Sequence, residues 1–365
     1  MVSNKALIYK KLPTHNPLVG EHIQVESLPD FDLSQHVPSG SAIIKGLYFS
    51  CDPYMRGRMR LPTRSSYSPP FEIGKPINGY ALVQVLRLAD DGQDKITTST
   101  GVTYGAGDIL YGLFDIAEYS LLGKEWLEHP YVNKVENPYN LPLSNFLSVM
   151  GMTGLTAYSS LYEIGRPKKG ETIFISSAAG AVGQIVGQLA KREGLRVIGS
   201  VGDDAKLEFI LNDLGFDGGF NYKKETSALE ALQRLAPDGV DIYYENVGGE
   251  QLAAAIECMN VFGRIVASGM VSQYSLPLDD RYPIKNLTQI VPKRIRFQGF
   301  LVNDADFGPK YIKERNERVP QWLAEGSIKT KEHIDEGIDS AGTAFVNMLE
   351  GKNFGKAIIH VADPE

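Results

Sequence analysis

Cysteine is nearly absent from this chain. Cys51 and Cys258 are the two present in 365 residues, too few for a disulfide framework, and a reducing compartment is expected. The sequence has no CxxC and no HExxH, and its six histidines (15, 22, 36, 129, 333 and 360) are scattered. A zinc centre needs three or four such ligands converging, so no metal is expected. Cys51-Asp52 is the one faint hint, and a small buried cysteine accounts for it. No apolar run approaches the length of a membrane span. The opening Met-Val-Ser-Asn-Lys has neither the apolar core of a signal peptide nor a myristoylation start. Basic residues are not in excess: 37 Lys and Arg against 44 Asp and Glu give a net charge of −7. That balance argues against a nucleic-acid or anionic-membrane surface. Repeats and low-complexity tracts are missing too. A cytoplasmic globular protein is expected, long enough for two domains, with an ordinary 43% hydrophobic and 22% charged composition.

What is present centres on Thr172 to Lys191, TIFISSAAGAVGQIVGQLAK. The β-branched run Thr172-Ile173-Phe174-Ile175 reads as a fully buried strand. Ser176 to Gly180 are small enough for a tight turn. From Ala181 the period changes, and Val182, Ile185, Val186 and Leu189 share one helix face. Gly180, Gly183 and Gly187 keep that helix slim. Strand, small-residue turn and helix suit a dinucleotide pyrophosphate, because unpaired amides at a helix N-terminus bind anions. The pattern is A-x-G-x-x-G (Ala178, Gly180, Gly183), weak alone. A second apolar strand at Leu195–Ser200, at βαβ distance, strengthens it.

The second strand bears on which nucleotide binds. NAD-binding units usually place Asp or Glu about 20 residues beyond the glycines, on the ribose 2′-hydroxyl. Here that position holds Gly199-Ser200, with Lys206 shortly after. Loss of the carboxylate and gain of a cation favour a 2′-phosphate, hence NADP(H). Asp203 and Asp204 are the objection, and capping of a helix over 204–215 is their alternative role.

Residues 1–60 read as β-rich, with strands at 5–9 and 42–49. Pro53 and Gly57 then enforce a turn. It carries Tyr54, which spacing alone treats as a tyrosine packed at a domain seam. Residues 61–71 form a Pro/Ser-rich loop and 89–106 a long exposed loop, with strands at 81–86, 108–112 and 117–121. From Val149 the pattern alternates β and α through six strands, ending at 295–302. Glu245-Asn246-Val247-Gly248-Gly249 closes one strand at the edge where ligands sit in such sheets. A last strand near 355–361 returns to the N-terminal part. The expected fold is therefore α/β: a Rossmann doubly wound parallel sheet, residues 149–315, inserted into a β-rich domain made of 1–148 and 316–365.

Several stretches together resemble the medium-chain dehydrogenase/reductase superfamily, and within it the zinc-independent prostaglandin reductases and plant alkenal double-bond reductases. They are CDPYMRGRM (51–59), INGYA (77–81), MTGLTAY (152–158), AAGAVGQIVGQLAK (178–191), FNYK (220–223), ENVGGE (245–250), GMVSQY (269–274), FQGFLVND (297–304) and GKNFGK (351–356). The resemblance implies a GroES-like character for the β-rich domain. It implies that Ala179, Gly180, Ala181 and Val182 cradle the pyrophosphate, and that Lys206 and Tyr222 hold the 2′-phosphate. Asn246, Phe300 and Val302 would lie along the nicotinamide, with Asn353 reaching in. Tyr274 matches the family tyrosine near the nicotinamide ribose, and Tyr54 and Tyr80 match tyrosines of the substrate cleft. The loops at 61–71 and 89–106 follow no pattern of the family and should shape the substrate mouth.

The implied activity is NADPH-dependent reduction of the C=C bond of an α,β-unsaturated aldehyde or ketone. Hydride goes to the β-carbon and negative charge develops on the carbonyl oxygen. Without a metal, that oxygen needs placed hydrogen-bond donors: Tyr274, a ribose hydroxyl and Tyr54 are the candidates. Quinone reduction and a non-enzymatic NADPH-binding role are the alternatives. A homodimer is expected, because the strand at 295–302 would otherwise be an exposed apolar edge.

Overall fold

The apolar stretches of the first part of the chain fold as antiparallel strands. β1 (Val2–Tyr9) pairs with β2 (Ile23–Phe31). After β3 (Ala42–Ser50) comes α1 (Tyr54–Arg58), one turn of helix where the sequence suggested only a turn. Pro53 starts it with φ −59°, already helical, at a position where its missing N–H costs nothing. β4 (Asn78–Leu88) lies beside β3. β5 (Lys95–Thr97) and β6 (Thr103–Gly105) pair as a small hairpin inside the stretch expected to be loop. Three-residue strands are too short for a period-2 pattern to show. β7 (Ile109–Asp115), β8 (Tyr119–Leu122), α2 (Lys124–Leu127) and β9 (Asn133–Lys134) follow. The structure, a computed structural model, describes residues 1–92, 94–98 and 101–365. Gln93, Ser99 and Thr100, which fall in the expected 89–106 loop, lie outside the described residues.

From α3 (Met152–Ser160) onward the chain alternates. The order is β10 (Thr172–Ile175), α4 (Gly183–Arg192), β11 (Arg196–Val201), α5 (Asp204–Glu208), β12 (Gly218–Asn221), α6 (Ala228–Leu235), β13 (Val240–Glu245), α7 (Gly249–Cys258), β14 (Met259–Ala267), α8 (Val271–Tyr274), α9 (Ile290–Lys293), β15 (Arg296–Gly299) and α10 (Gly308–Ala324). The six strands run parallel in the order β12-β11-β10-β13-β14-β15. This is the doubly wound Rossmann order, with its switch point between β10 and β13. Helices cover both faces, so Ile173, Phe174, Ile175, Ile242, Tyr243 and Tyr244 are all buried, and no alternation appears in their sequence. α6 is N-capped by Ser227, whose Oγ accepts the Glu230 amide at 3.2 Å.

Two buried glutamines on α4 hold an extended segment that follows α10. Gln184 Nε2 donates to Lys331 O (3.1 Å) while its Oε1 accepts the Lys331 amide (2.8 Å). Gln188 does the same with Lys329, at 2.8 Å each way.

The chain ends with β16 (Glu332–Glu336), α11 (Ala341–Leu349) and β17 (Lys356–His360). β17 pairs antiparallel with β3, in a sheet ordered β16-β17-β3-β4-β7-β9 with β8 also on β3. The last strand thus returns to the N-terminal sheet. Two compact units result: 1–147 with 333–353 and 357–365, and 148–332 with 354–356. α10 belongs whole to the second unit, where Arg315 donates to Val149 O at 3.3 Å and Tyr311 to Glu163 at 2.9 Å. The expected boundary at 315/316 would cut this helix. Its amphipathic pattern says that one face is buried, not which domain buries it.

Candidate active site

Most of the candidate residues sit at the C-terminal ends of the parallel strands, in the second unit. Beyond β10 the backbone turns through Ser177, a non-glycine at φ +51°, and the Gly180 amide closes on Ser177 O at 2.9 Å. The Ala178 amide bonds Ser200 O on β11, also at 2.9 Å. A Cβ on Gly183 would stand 2.4 Å from Ser177 O, so glycine is required where the helix meets the turn. Gly187 faces Phe216, whose ring a Cβ would meet at 2.0 Å. α4 starts at Gly183, two residues after the sequence pattern suggested. Ala179 is buried, Gly180 bridges to Gly355, and the amides of Ala181 and Val182 have no acceptor in the chain among the described residues. Such first-turn amides fit a pyrophosphate.

At the end of β11 the two acidic residues are occupied. Asp203 caps α5 by accepting the Ala205 amide at 2.8 Å. Asp204 accepts Asn221 Nδ2 at 2.7 Å and pairs with Lys224. What remains is cationic and aromatic. Burial lowers the Lys206 pKa, opposed by Asp203, and Lys223 lowers it further. The Tyr222 ring lies against Gly202, where a Cβ would come 2.9 Å from its hydroxyl. Lys206, Lys223 and Tyr222 therefore gather at the β11 and β12 ends, a set that fits a phosphate monoester better than a bare ribose.

At the β13 end, Glu245 is fully buried. Its Oε1 lies near four donors: Val247 N (2.6 Å), Gly248 N (2.8 Å), Tyr243 OH (3.0 Å) and Ser176 Oγ (3.3 Å). Burial raises its pKa against these donors. Asn246 is turned back onto β10, its Nδ2 donating to Ser176 O at 2.7 Å and its amide to Ser176 Oγ at 2.9 Å. The segment 268–274 hangs on this turn. Ser268 and Gly269 amides both reach Glu245 O at 3.0 Å, and Val271 N reaches Asn246 O at 3.1 Å. Within it the Tyr274 hydroxyl oxygen accepts the Met270 amide at 3.0 Å. Its phenol pKa is raised, chiefly by burial, with the Met270 bond opposing and Glu245 adding. Asn246 and Tyr274 are thus brought together. Phe300 packs instead on Phe307, ring centroids 4.9 Å apart, and Val302 O takes the Gly308 amide at 2.7 Å.

The first unit holds Tyr54, Tyr80 and Asn353. Tyr54 OH is buried without a hydrogen-bond partner. Burial raises its pKa well above the usual phenol range, and Asp52 and Tyr80 add to the shift. Tyr80 stacks on Tyr111 at 5.4 Å. Beside them Arg58 is buried over the Phe71 ring (4.0 Å) and donates to Pro69 O and Asn78 O, each at 3.0 Å. Asp115, near Arg58, has its carboxyl pKa pushed up to about 6 by burial. Asn353 precedes the Phe354–Lys356 segment of the second unit.

The zinc-binding dehydrogenase family matches residues 181–317, and a family described as the N-terminal domain of oxidoreductase matches 27–129. The chain is 51% identical over 363 residues to the NADP-dependent oxidoreductase RED1 of Cochliobolus heterostrophus, covering 100% of this chain and 99% of that protein. It is 39% identical to the 2-alkenal reductase (NADP(+)-dependent) of Nicotiana tabacum, covering 99% and 98%. The chain belongs to the alkenal reductase branch of the zinc-independent medium-chain dehydrogenase/reductases. The solved structure of CurA in complex with NADPH, from Vibrio vulnificus, shares this branch member's fold: TM-score 0.83, 32% identity, 99% of this chain and 100% of that one. Among the described residues no group of three or more His, Cys, Asp and Glu could hold a metal ion. No helix among them is long and apolar enough to cross a membrane.

Glu245, Ser176 and Arg58 were not singled out from the sequence. Glu245 carried one signal, a carboxylate just before a Val-Gly-Gly turn whose amides need an acceptor. Arg58 carried none.

Proposed function

We propose that this protein is an NADPH-dependent reductase of the carbon–carbon double bond of α,β-unsaturated aldehydes and ketones. The observation that carries the reading is the Tyr274 hydroxyl, whose oxygen accepts the Met270 amide while its proton has no acceptor among the described residues. Such a phenol is set to donate. Identity to the tobacco 2-alkenal reductase along nearly the whole chain supports the same substrate class, and the relatives' named use of NADP and NADPH supports the cofactor.

The Ala179–Val182 turn holds the pyrophosphate on its amides, and Lys206 and Tyr222 hold the 2′-phosphate. In the second unit, Asn246 would lie along the nicotinamide. NADPH, when bound, supplies the hydride that the β-carbon receives. Tyr274 donates to the carbonyl oxygen as negative charge grows there, a role in which a placed donor is worth several kcal/mol, and the enolate then takes a proton at the α-carbon from tyrosine or water to give the saturated product. A phenol titrating near or above pH 10 stays protonated at neutral pH, and partial desolvation of the Tyr274 hydroxyl, on a residue that is 37% exposed, moves it further that way. In the first unit, Tyr54 and Tyr80 are the residues taken to contact the substrate. A homodimer belongs to the same proposal, because β15 ends its sheet as an edge that a twin strand would cover. Light scattering at twice 40.2 kDa tests that part.

Incubation with NADPH, deuterated at the transferred position, and a short 2-alkenal tests the chemistry. A saturated aldehyde with deuterium on the β-carbon is expected. An allylic alcohol, or turnover of quinones alone, overturns the reading.

A further inference from the structure

The carboxylate of Glu245 has no place in the chemistry above, yet it is the most completely enclosed charge-bearing group beside Tyr274. It is fully buried at the end of β13. One oxygen gathers two backbone amides, a phenol and a serine hydroxyl, while the other, Oε2, has no partner. A buried polar oxygen without a partner costs about 1–3 kcal/mol, and a carboxyl more than an amide. An element of pure packing would not keep one, so the other oxygen's bonds must matter.

Those bonds lead toward the tyrosine. Oε1 fixes the amides of Val247 and Gly248, whose planar peptides set the direction of the Asn246 and Val247 carbonyls, while the Glu245 carbonyl is set through the Asn246 amide on Ser176 Oγ. Each of these accepts from the segment that carries Tyr274. Ser268 and Gly269 bond Glu245 O, Val271 bonds Asn246 O, and Ser272 bonds Val247 O through its amide (3.1 Å) and its hydroxyl (2.6 Å). The segment then presents the Met270 amide to the Tyr274 oxygen. We infer that Glu245 is a positioning residue, holding the 246–248 turn so that the 268–272 backbone orients the Tyr274 hydroxyl for donation. It acts through Tyr274 and does not touch the substrate. The inference rests on the reading of Tyr274 as donor.

Glutamine can keep Oε1 as an acceptor while losing the charge, and alanine removes both. The test places 3-fluorotyrosine at position 274 and follows its ¹⁹F resonance in the NADPH-bound protein, alongside kcat on a 2-alkenal. Glu245→Gln is expected to leave the resonance unmoved and kcat within about three-fold. Glu245→Ala shifts or broadens the resonance and lowers kcat about ten-fold, and that loss disappears in a Tyr274→Phe background. Ser272→Ala, on the exposed side of the hook, moves the resonance in the same direction by less, and it carries the test if Glu245→Ala does not fold. An unmoved resonance in both alanine variants overturns the inference, as does a full kcat loss for Glu245→Ala in the Tyr274→Phe background. If the resonance moves but Tyr274→Phe turns over like the wild type, positioning stands and the donor reading falls.

Discussion

The two units hold their candidate tyrosines by opposite means. In the second unit Tyr274 is placed mainly by main-chain bonds between strand ends and a turn, with the Glu245 side chain pinning that turn at one point. In the first unit Tyr54 sits on a single helical turn held by side chains. Arg56 reaches Pro13 O and His15 O, Arg58 reaches Pro69 O and Asn78 O, and Arg60 reaches Gly57 O and Arg64 O. Three alternate arginines tie two distant loops to α1. A main-chain frame is set by fold topology and survives most sequence changes. An arginine frame is set one residue at a time, so the loops it holds can diverge between relatives.

The sharpest way to break this contrast is Arg58→Met. It leaves the Pro69 and Asn78 carbonyls without their donor, and a loss of about 3 kcal/mol in stability is expected by denaturant titration, with NADPH affinity unchanged. Lysine should not rescue, because it cannot span both carbonyls from above Phe71. Tyr274→Phe should do the reverse. Its melting should match the wild type, while kcat on a 2-alkenal falls about 100-fold, or roughly 2.7 kcal/mol.

Lys206→Ala sharpens the picture of the second unit alone. The KM for NADPH should rise about ten-fold and that for NADH stay level, measured by steady-state kinetics. The smallest expected effect is in the pH profile. The donor form of Tyr274 is the protonated phenol, and its pKa is raised. Raising the pKa extends the protonated range upward, so kcat should stay flat across neutral pH and decline only above about pH 10. A decline centred near pH 8 would mean that another group donates.

The Rossmann unit was legible because each of its elements announces itself locally. A continuous β-branched run, a small-residue turn and a period change occur within twenty residues of one another, and the parallel order follows from repetition of that unit. The NADP preference was legible for a similar reason, and the capping role suggested for Asp203 is what the structure contains. Glu245 was harder, since its four donors come from residues 176, 243, 247 and 248, two of them brought in only by strand pairing and pleat. Arg58 was out of reach: its partners, the Pro69 carbonyl in a loop and the Asn78 carbonyl at the start of β4, carry no sequence pattern. The hairpin at 95–105 and the single turn at 54–58 were missed because neither is long enough to show a period.

Gln184 and Gln188 make a final point about fit between unlike lattices. Four residues of helix rise roughly 6 Å, and two residues of extended chain advance roughly 6.6 Å. A helix stepping by four and a strand stepping by two are nearly commensurate, so two side-chain amides on α4 read Lys329 and Lys331 as a neighbouring strand would. The match works like a vernier. Inserting one residue between 329 and 331 would allow only one of the two glutamines to keep its partner, whereas an insertion beyond Lys331 would disturb neither. The helix that opens after the Ala179–Val182 turn therefore also fixes, to a single residue, the register of the segment that leaves this unit.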